Sequence, residues 1–510
     1  MTTQTEIVII GSGLGGLSCG AVLAKYGYDV IVCESHTIAG GAAHSFEYKG
    51  FKFDSGPSLY SGLSYSPSSN PLRQVLDIIE EDIEWKNYNN WGCWLPEGYF
   101  DIAVGADNFY KLLVKLRGQE AGRQWRELQK VMQPLGEAST SIPLKAVRYD
   151  LGSLLTLTPF ALSMLPYAFS ASKLTGSFGK IMDEVVTDEF IRNWLNLLCF
   201  MLSGLPAHST SAAEMAFMFA EWYRPDVVLD YPVGSSESIV NALVRGLTKN
   251  GGQLRLGSHV VEIIVTNNQA TGVRLRGGEE IKASKAVVSN ASIWDTVNII
   301  PDGVLPRKYQ ENVDKTPMNN SFMHLHLGID GADIPDDMPC HYMIVNDWEK
   351  GVTAEQNVVA VSIPSLLDPS LAPEGKHSIH VYTPATEPYS LWANLKRNSD
   401  EYKQLKEERS QVMWDALARF IPDIRSRCEV ELVGTPLTHA RFLRRHQGTY
   451  GAAWDASESL FPISTTPINN LYCCGDSTFP GIGVPAVTAS GMIVANTIAS
   501  VEKQLKLLWS

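Results

Sequence analysis

The feature that most narrows what this chain can fold into is a glycine-rich turn close to its start. Residues 6–10 form a short apolar, β-branched run, followed at once by Gly11-Ser-Gly-Leu-Gly-Gly16. An Ala- and Leu-rich helical stretch continues through Lys25, and a second apolar run over residues 28–33 ends at Glu34. Strand, glycine turn, helix and second strand within one short unit predict a dinucleotide-binding βαβ start. Gly11 allows the tight turn, Gly13 lets the backbone approach a pyrophosphate, and Gly16 permits close helix–strand packing. Leu14 and Gly15 open the helix, whose free N–H groups and positive dipole end face the phosphates. Glu34, 18 residues after Gly16, is placed to accept the adenosine ribose hydroxyls, with Ser35 beside it.

A length of 510 residues exceeds what one core organises, so two connected domains are expected. The net charge of −13 and the lack of a basic stripe argue against a nucleic-acid partner. Eight cysteines without a CxxC pair exclude a zinc ribbon and a thioredoxin-like dithiol, and fit a reducing compartment. The adjacent Cys473 and Cys474 sit in a strand-like run and read as core. The first residues have neither signal-peptide nor transit-peptide character, which gives the expectation of a protein on the cytoplasmic side.

The second half of the nucleotide site is read from both ends of the chain. Gly40-Gly41-Ala42 follows the second strand, and Phe51-Lys-Phe-Asp54-Ser-Gly56-Pro57 comes soon after. Near the C-terminus, Leu471-Tyr-Cys-Cys-Gly475-Asp476 reads as a strand ending in Gly-Asp, and Gly481-Ile-Gly483-Val-Pro485 opens a final helix. Pro at a first helical position behind glycines leaves an exposed helix start facing a second negative group. One glycine turn at the start and one acid-bearing helix entry at the end suit FAD, which must be gripped at both ends.

These pieces resemble the FAD-dependent superfamily of phytoene desaturases, carotenoid isomerases, retinol saturases and monoamine oxidases, over nearly the whole chain. Tyr231-Pro-Val-Gly234, Gly257-Ser-His-Val260 and Ala286-Val-Val-Ser-Asn290 are similar to further family segments. The strongest likeness is to the prolycopene isomerase and desaturase-like branch of photosynthetic organisms. Ala452 and Ala42-Ala43-His44 depart from that branch's usual residues. The resemblance implies an α/β protein: a Rossmann-type FAD-binding domain from residues 1–65, 226–310 and 430–510. An α+β substrate-binding and membrane-associating domain comes from 66–225 and 311–429. It also implies Val260 near the adenine, Asn290 beside the dinucleotide, Asp476 at the ribityl hydroxyls, and Gly483 and Val484 at the flavin's pyrimidine edge.

The implied activity is FAD-dependent oxidoreductase chemistry on a hydrophobic polyene, as a carotenoid cis–trans isomerase or desaturase. A saturase of a retinoid or prenyl chain is the nearest alternative. A flavin-free prenyl-lipid carrier of the Rab escort or GDP-dissociation type belongs to another class, and has no need of the intact turn, Glu34 and Asp476. A quinone or other electron partner is implied for a desaturase. No catalytic triad stands out, and the polar candidates are His44, Glu214, Glu221, Arg441 and His446.

Residues 151–172 carry no charge over 22 positions, but Pro159 and Pro166 interrupt any helix there. The segment suits an ordinary core or a monotopic patch that dips into lipid, which gives the expectation of peripheral attachment to a cytoplasmic or thylakoid membrane. Phe200, Met215, Phe217, Met218, Phe219 and Trp222 read as core or as the lining of a tunnel. Arg444 and Arg445 read with Arg441 and His446 as a solvated face or a lipid contact. His324 and His326 share a strand face, the minimal start of a metal site, but without a third ligand they read as structural, and no metal is expected.

Overall fold

The computed structural model describes residues 2–56, 58–167, 172–224, 227–458 and 461–509. Pro57 of the second glycine-bearing segment and residues 168–171 of the uncharged segment lie outside that set.

The apolar run at the start forms the strand Thr2–Ile10, and every side chain from Ile7 to Ile10 is buried. It pairs in parallel with Val30–Cys33 on one side and Glu280–Ser289 on the other. Gln253–Arg255 extends the sheet beyond Val30–Cys33. The long strand Glu280–Ser289 changes neighbours along its length. Its first half pairs with Gln269–Leu275, and its last residues pair in parallel with Leu471–Cys473. The C-terminal Gly-Asp is thereby delivered beside the N-terminal glycine turn. Val260–Thr266 and Gln269–Leu275 form a hairpin, and Asn267 and Asn268 both take the left-handed backbone that such a turn needs.

The helix Leu14–Lys25 packs on Val484–Ile498, and small residues let the two approach. A Cβ on Gly491 would stand 2.1 Å from the Gly15 carbonyl oxygen. The expected single C-terminal helix is in fact two, Val484–Ile498 and Val501–Leu508, because Ser500 caps the second through the Lys503 N–H. The helical stretch after residue 106 is likewise divided at Gly118, whose φ of 85° ends Ala106–Arg117 and starts Gln119–Thr140.

A second seven-stranded sheet has the order Cys428–Gly434, Ser321–Asp330, Lys376–Glu387, Val358–Ser362, His341–Val345, Asn90–Leu95, Gly98–Ala103. The boundary expected at residue 430 falls inside Cys428–Gly434, which pairs along Ser321–Asp330 and so goes with this sheet. Against it pack the helices Glu189–Ser203 and Ala212–Trp222. Phe200, Met215, Met218 and Phe219 are core residues there, with Phe217 and Trp222 partly buried. Cys473 and Cys474 are buried and unpaired.

As far as Tyr167 the uncharged segment is a string of short helical turns, including Ser153–Leu157 and Ala161–Met164, that leaves Leu151, Leu154 and Leu162 at 86%, 70% and 81% exposure. Among the described residues no helix is long and apolar enough to cross a membrane.

Candidate functional site

The glycine turn is built so that nothing larger fits. Gly11 has φ 92°, and a Cβ on Gly16 would stand 2.2 Å from the Gly11 carbonyl oxygen. Gly13 precedes the helix in extended backbone and bridges to Gly40, which brings Gly40 and Gly41 against the turn. A Cβ on Gly41 would stand 3.0 Å from the Gly13 Cα. Ala42 follows on the exposed side, where its carbonyl accepts from Ser55 Oγ. The N-terminus of Leu14–Lys25, with Leu14, Gly15 and Gly16 in its first turn, faces this cradle.

Glu34 is buried, and its Oε2 accepts from the Ser12 N–H at 2.8 Å and the Ser12 hydroxyl at 2.7 Å. Its Oε1 accepts from the His36 N–H at 2.8 Å and from Ser35 Oγ at 3.3 Å. The Glu34 backbone N–H donates to the Arg255 carbonyl and its carbonyl accepts from the Ser258 N–H. Those bonds tie the Val260 segment to the acid. Asn290 follows the long central strand, and its amide lies between the glycine turn and Gly475.

At the other end, Gly475 takes φ 97° and Asp476 accepts from Arg445 at 2.5 Å. Arg445 also donates to the Thr449 and Tyr450 carbonyls at 2.8 and 2.7 Å. The expectation of a solvated or lipid-facing Arg445 is thus corrected, since three acceptors turn it inward. Its neighbour Arg444 is exposed. Gly483, at φ 102° with nothing within 4 Å of a built Cβ, precedes Val484 at the start of Val484–Ile498.

The catalytic candidates separate. His44 follows Gly41 directly, and its Nδ1 donates to the Gly41 carbonyl at 2.7 Å, so Nε2 is left as an acceptor. Burial lowers its pKa. Glu214 keeps a little accessible surface but is ringed by protein, and desolvation raises its carboxyl to about 8. Glu221 is buried and accepts from Tyr65 and Ser69, so it anchors a loop. Arg441 is exposed, with its guanidinium over the Phe442 ring, and is not drawn into the interior. His446 stacks its ring on Trp294 at 5.3 Å, and its backbone N–H donates to the Asp295 carboxylate. Exposure in one case and structural bonding in the others explain why these three stand apart from His44 and Glu214.

Two residues that sequence reasoning passed over, His380 and His439, join His324 and His326. His324 Nδ1 lies 2.7 Å from His380 Nε2, and His324 Nε2 lies 2.6 Å from His439 Nε2. Phe322 stacks on His439 at 5.2 Å and meets Tyr450 edge-on at 5.2 Å. The register His326 opposite His380 was the available signal, but only strand pairing discloses it.

The comparisons agree with this geometry. Residues 14–499 match the model of the family described as flavin containing amine oxidoreductase. The chain is 31% identical over 511 residues to the chloroplastic prolycopene isomerase of Daucus carota, covering 98% of this chain and 80% of that one. It is 25% identical to a neurosporene-forming phytoene desaturase of Rhodobacter capsulatus, covering 99% and 96%. An oxidoreductase structure from Methanosarcina mazei shares the fold, with a TM-score of 0.61, 19% identity, and coverage of 97% and 99%. The glycine cradle, whose positions leave no room for a Cβ, fits a dinucleotide, and FAD is the cofactor of this protein. The chain belongs to the flavin containing amine oxidoreductase family, as an FAD-dependent oxidoreductase of its carotenoid isomerase and desaturase branch.

Proposed function

We propose that this enzyme acts on a carotenoid-like polyene and that its reaction is cis–trans isomerisation. The observation that carries the reading is the near-complete alignment with a prolycopene isomerase, at higher identity than with the desaturase. The site's electrostatics support it. Glu214 is held neutral at pH 7, and burial keeps His324, His380 and His439 neutral as well. Burial also raises the Tyr382 hydroxyl to about 12, so that it stays protonated. An uncharged, poorly hydrated surround suits a hydrocarbon, whereas a cationic substrate gains from a carboxylate that ionises.

In this reading the Gly11–Gly16 turn and the adjoining Gly40, Gly41 and Ala42 hold the pyrophosphate. Glu34 with Ser35 takes the ribose and Val260 borders the adenine. Asn290, Gly475 and Asp476 support the ribityl arm, and Gly483 and Val484 meet the flavin edge. FAD bound there supplies the two-electron centre. The protein's part is to orient the polyene, exclude water, and keep Glu214 protonated beside Tyr450 and Cys199. The flavin-free carrier reading falls away, because the chain keeps the whole cradle and belongs to a flavin family.

The substrate reaches the site from lipid. Leu151, Leu154, Leu155, Leu162 and Leu165 are exposed, and Trp509 stands beside them, its ring parallel to Phe160 at 6.4 Å. An apolar patch of this kind dips into the interface of a membrane without spanning it. The protein attaches in this way on the cytoplasmic side of a cytoplasmic or thylakoid membrane, within reach of a quinone or other electron partner.

Expression in a host that accumulates poly-cis carotenes tests the reading. A changed cis/trans ratio at unchanged mass supports isomerisation. Loss of two hydrogens reassigns the enzyme as a desaturase, and gain of two as a saturase. Identical pigments from wild type and Asp476→Ala, with FAD bound in the wild type, would overturn carotenes as substrates.

A further inference from the structure

The three buried histidines on the second sheet and the half-buried His439 beside them are not needed to hold FAD, and their arrangement is specific. His324 and His326 lie on one strand, His326 faces His380 across the pair, and His439 comes from the helix Pro436–Phe442. The atoms of His324, His326 and His380 lie within 4.8 Å of one another, close enough to raise the question of a metal. The ring geometry answers it. A shared ion needs lone pairs converging on one point. His324 and His380 instead meet edge to edge, with centroids 5.0 Å apart, planes 15° apart and an N···N distance of 2.7 Å. Their nitrogens point at each other. His439 meets His324 in the same manner, at 4.6 Å, 16° and 2.6 Å. His326 lies parallel to His380, 4.4 Å away and within 5°, so its lone pair lies in another plane. Its Nε2 donates to the Asp54 carbonyl, which can only accept.

We propose that His439, His324 and His380 form a proton relay that delivers a proton to the reaction site during flavin reduction. Each neutral imidazole has one N–H and one acceptor nitrogen. Two arrangements therefore satisfy both N–H···N bonds. In one, His380 Nε2–H donates to His324 Nδ1, His324 Nε2–H donates to His439 Nε2, and the free proton sits on His439 Nδ1. In the other, both bonds are reversed and the free proton sits on His380 Nδ1. Passing between them admits one proton at His380 Nδ1 and releases one at His439 Nδ1, with no ring charged before or after. That neutrality matters here, because burial and the neighbouring rings, with Arg445 beside His439, oppose a resident imidazolium.

The two ends differ in their surroundings. His439 is half-buried, while His324 and His380 are at 4% and 2% exposure. Arg445, next to His439, carries Asp476, and so places this end at the flavin side of the site. At the other end, His380 Nδ1 is buried without a protein partner. The cross-strand row continues from His380 to Ser362 and His341, where Ser362 Oγ and His341 Nδ1 are 2.6 Å apart. Reduction of FAD to FADH− by two electrons from an external carrier that gives up electrons alone calls for one proton as well, and the relay supplies it.

The inference rests on FAD being the bound group, which visible absorbance of the purified protein reads independently. Stopped-flow reduction of the FAD-loaded protein with reduced methyl viologen, which gives up electrons and no protons, in weak buffer with a pH indicator, follows flavin bleaching and proton uptake together. The expected result is synchronous uptake in wild type, and uptake slowed about 100-fold in FAD-loaded His324→Phe, which keeps an aromatic ring but carries no proton. If that variant fails to retain FAD, His439→Phe at the accessible end serves the same comparison. Equal uptake rates in loaded wild type and variant would overturn the relay. So would a stoichiometric transition metal that co-purifies with the protein and is lost together with the His324–His380 contact on chelation. A colourless wild type would instead count against the FAD reading itself.

Discussion

The Asn290 side chain touches both halves of the nucleotide site, since a Cβ built on Gly13 would stand 2.8 Å from its Nδ2 and one on Gly475 would stand 2.8 Å from its Oδ1. A Cβ on Gly15 is worse placed, at 2.7 Å from Asn290 Oδ1 and 3.0 Å from the Val487 carbonyl oxygen. Gly15→Ala is therefore expected to push apart the glycine turn and the C-terminal helix, at a cost of about 1–3 kcal/mol. Its melting temperature falls, and the purified variant shows less flavin absorbance per protein than wild type.

Glu34 accepts two bonds from Ser12 and one from the His36 N–H. Glu34→Gln keeps the volume and removes the charge. Bonds to a charged acceptor are worth about 1.5–3 kcal/mol, so FAD affinity is expected to drop by about 10- to 150-fold. Fluorescence titration of apoprotein with FAD checks this, and unchanged affinity would remove Glu34 from the site.

Glu214 supplies a pH signature. Its carboxyl is raised from 4.5 to about 8 by desolvation. Between those values the folded protein holds a proton that the unfolded chain has released, so its stability declines as pH rises and levels off above 8. Glu214→Gln should match wild type near pH 4 and exceed it in urea stability at pH 9. If the neutral acid serves the reaction, wild-type turnover falls above pH 8 by about tenfold per unit, and the variant lacks that alkaline limb.

The histidine cluster predicts the opposite sign in acid. His326 is lowered from 6.5 to about 4, and His439 to about 3. Below pH 6.5 the unfolded chain takes up protons that the folded protein refuses, so stability is full above 6.5 and is lost as pH falls toward 4. Each such histidine is expected to cost about 1–2 kcal/mol at pH 5 relative to pH 7.5. Urea midpoints at the two pH values measure it, and His326→Phe should flatten the dependence.

Exposed leucines cost little to replace in the folded protein yet matter at a membrane. Leu151→Ser, Leu154→Ser and Leu162→Ser together should leave the melting temperature unchanged. Each should weaken flotation with lipid vesicles by about 1–2 kcal/mol. Equal flotation of wild type and the triple variant would discard the patch as the attachment surface.

By itself the sequence determined the features whose physics is local. The glycine spacing from Gly11 to Gly16 and the acid at Glu34 act within one βαβ unit, and Asn267-Asn268 dictates its hairpin through backbone conformation alone. Gly475-Asp476 and Gly483-Val484 were legible for the same reason, since a strand end and a helix start are written in neighbouring residues. Tertiary structure alone decided what those pieces meet. Arg441 and Arg445 belong to one short basic run, but only Arg445 finds three interior acceptors, while Arg441 remains on the surface. His380 and His439 reach His324 from 56 and 115 residues away. No local pattern encodes that meeting, because it depends on strand register and on where a capped helix lands after the chain has closed on itself.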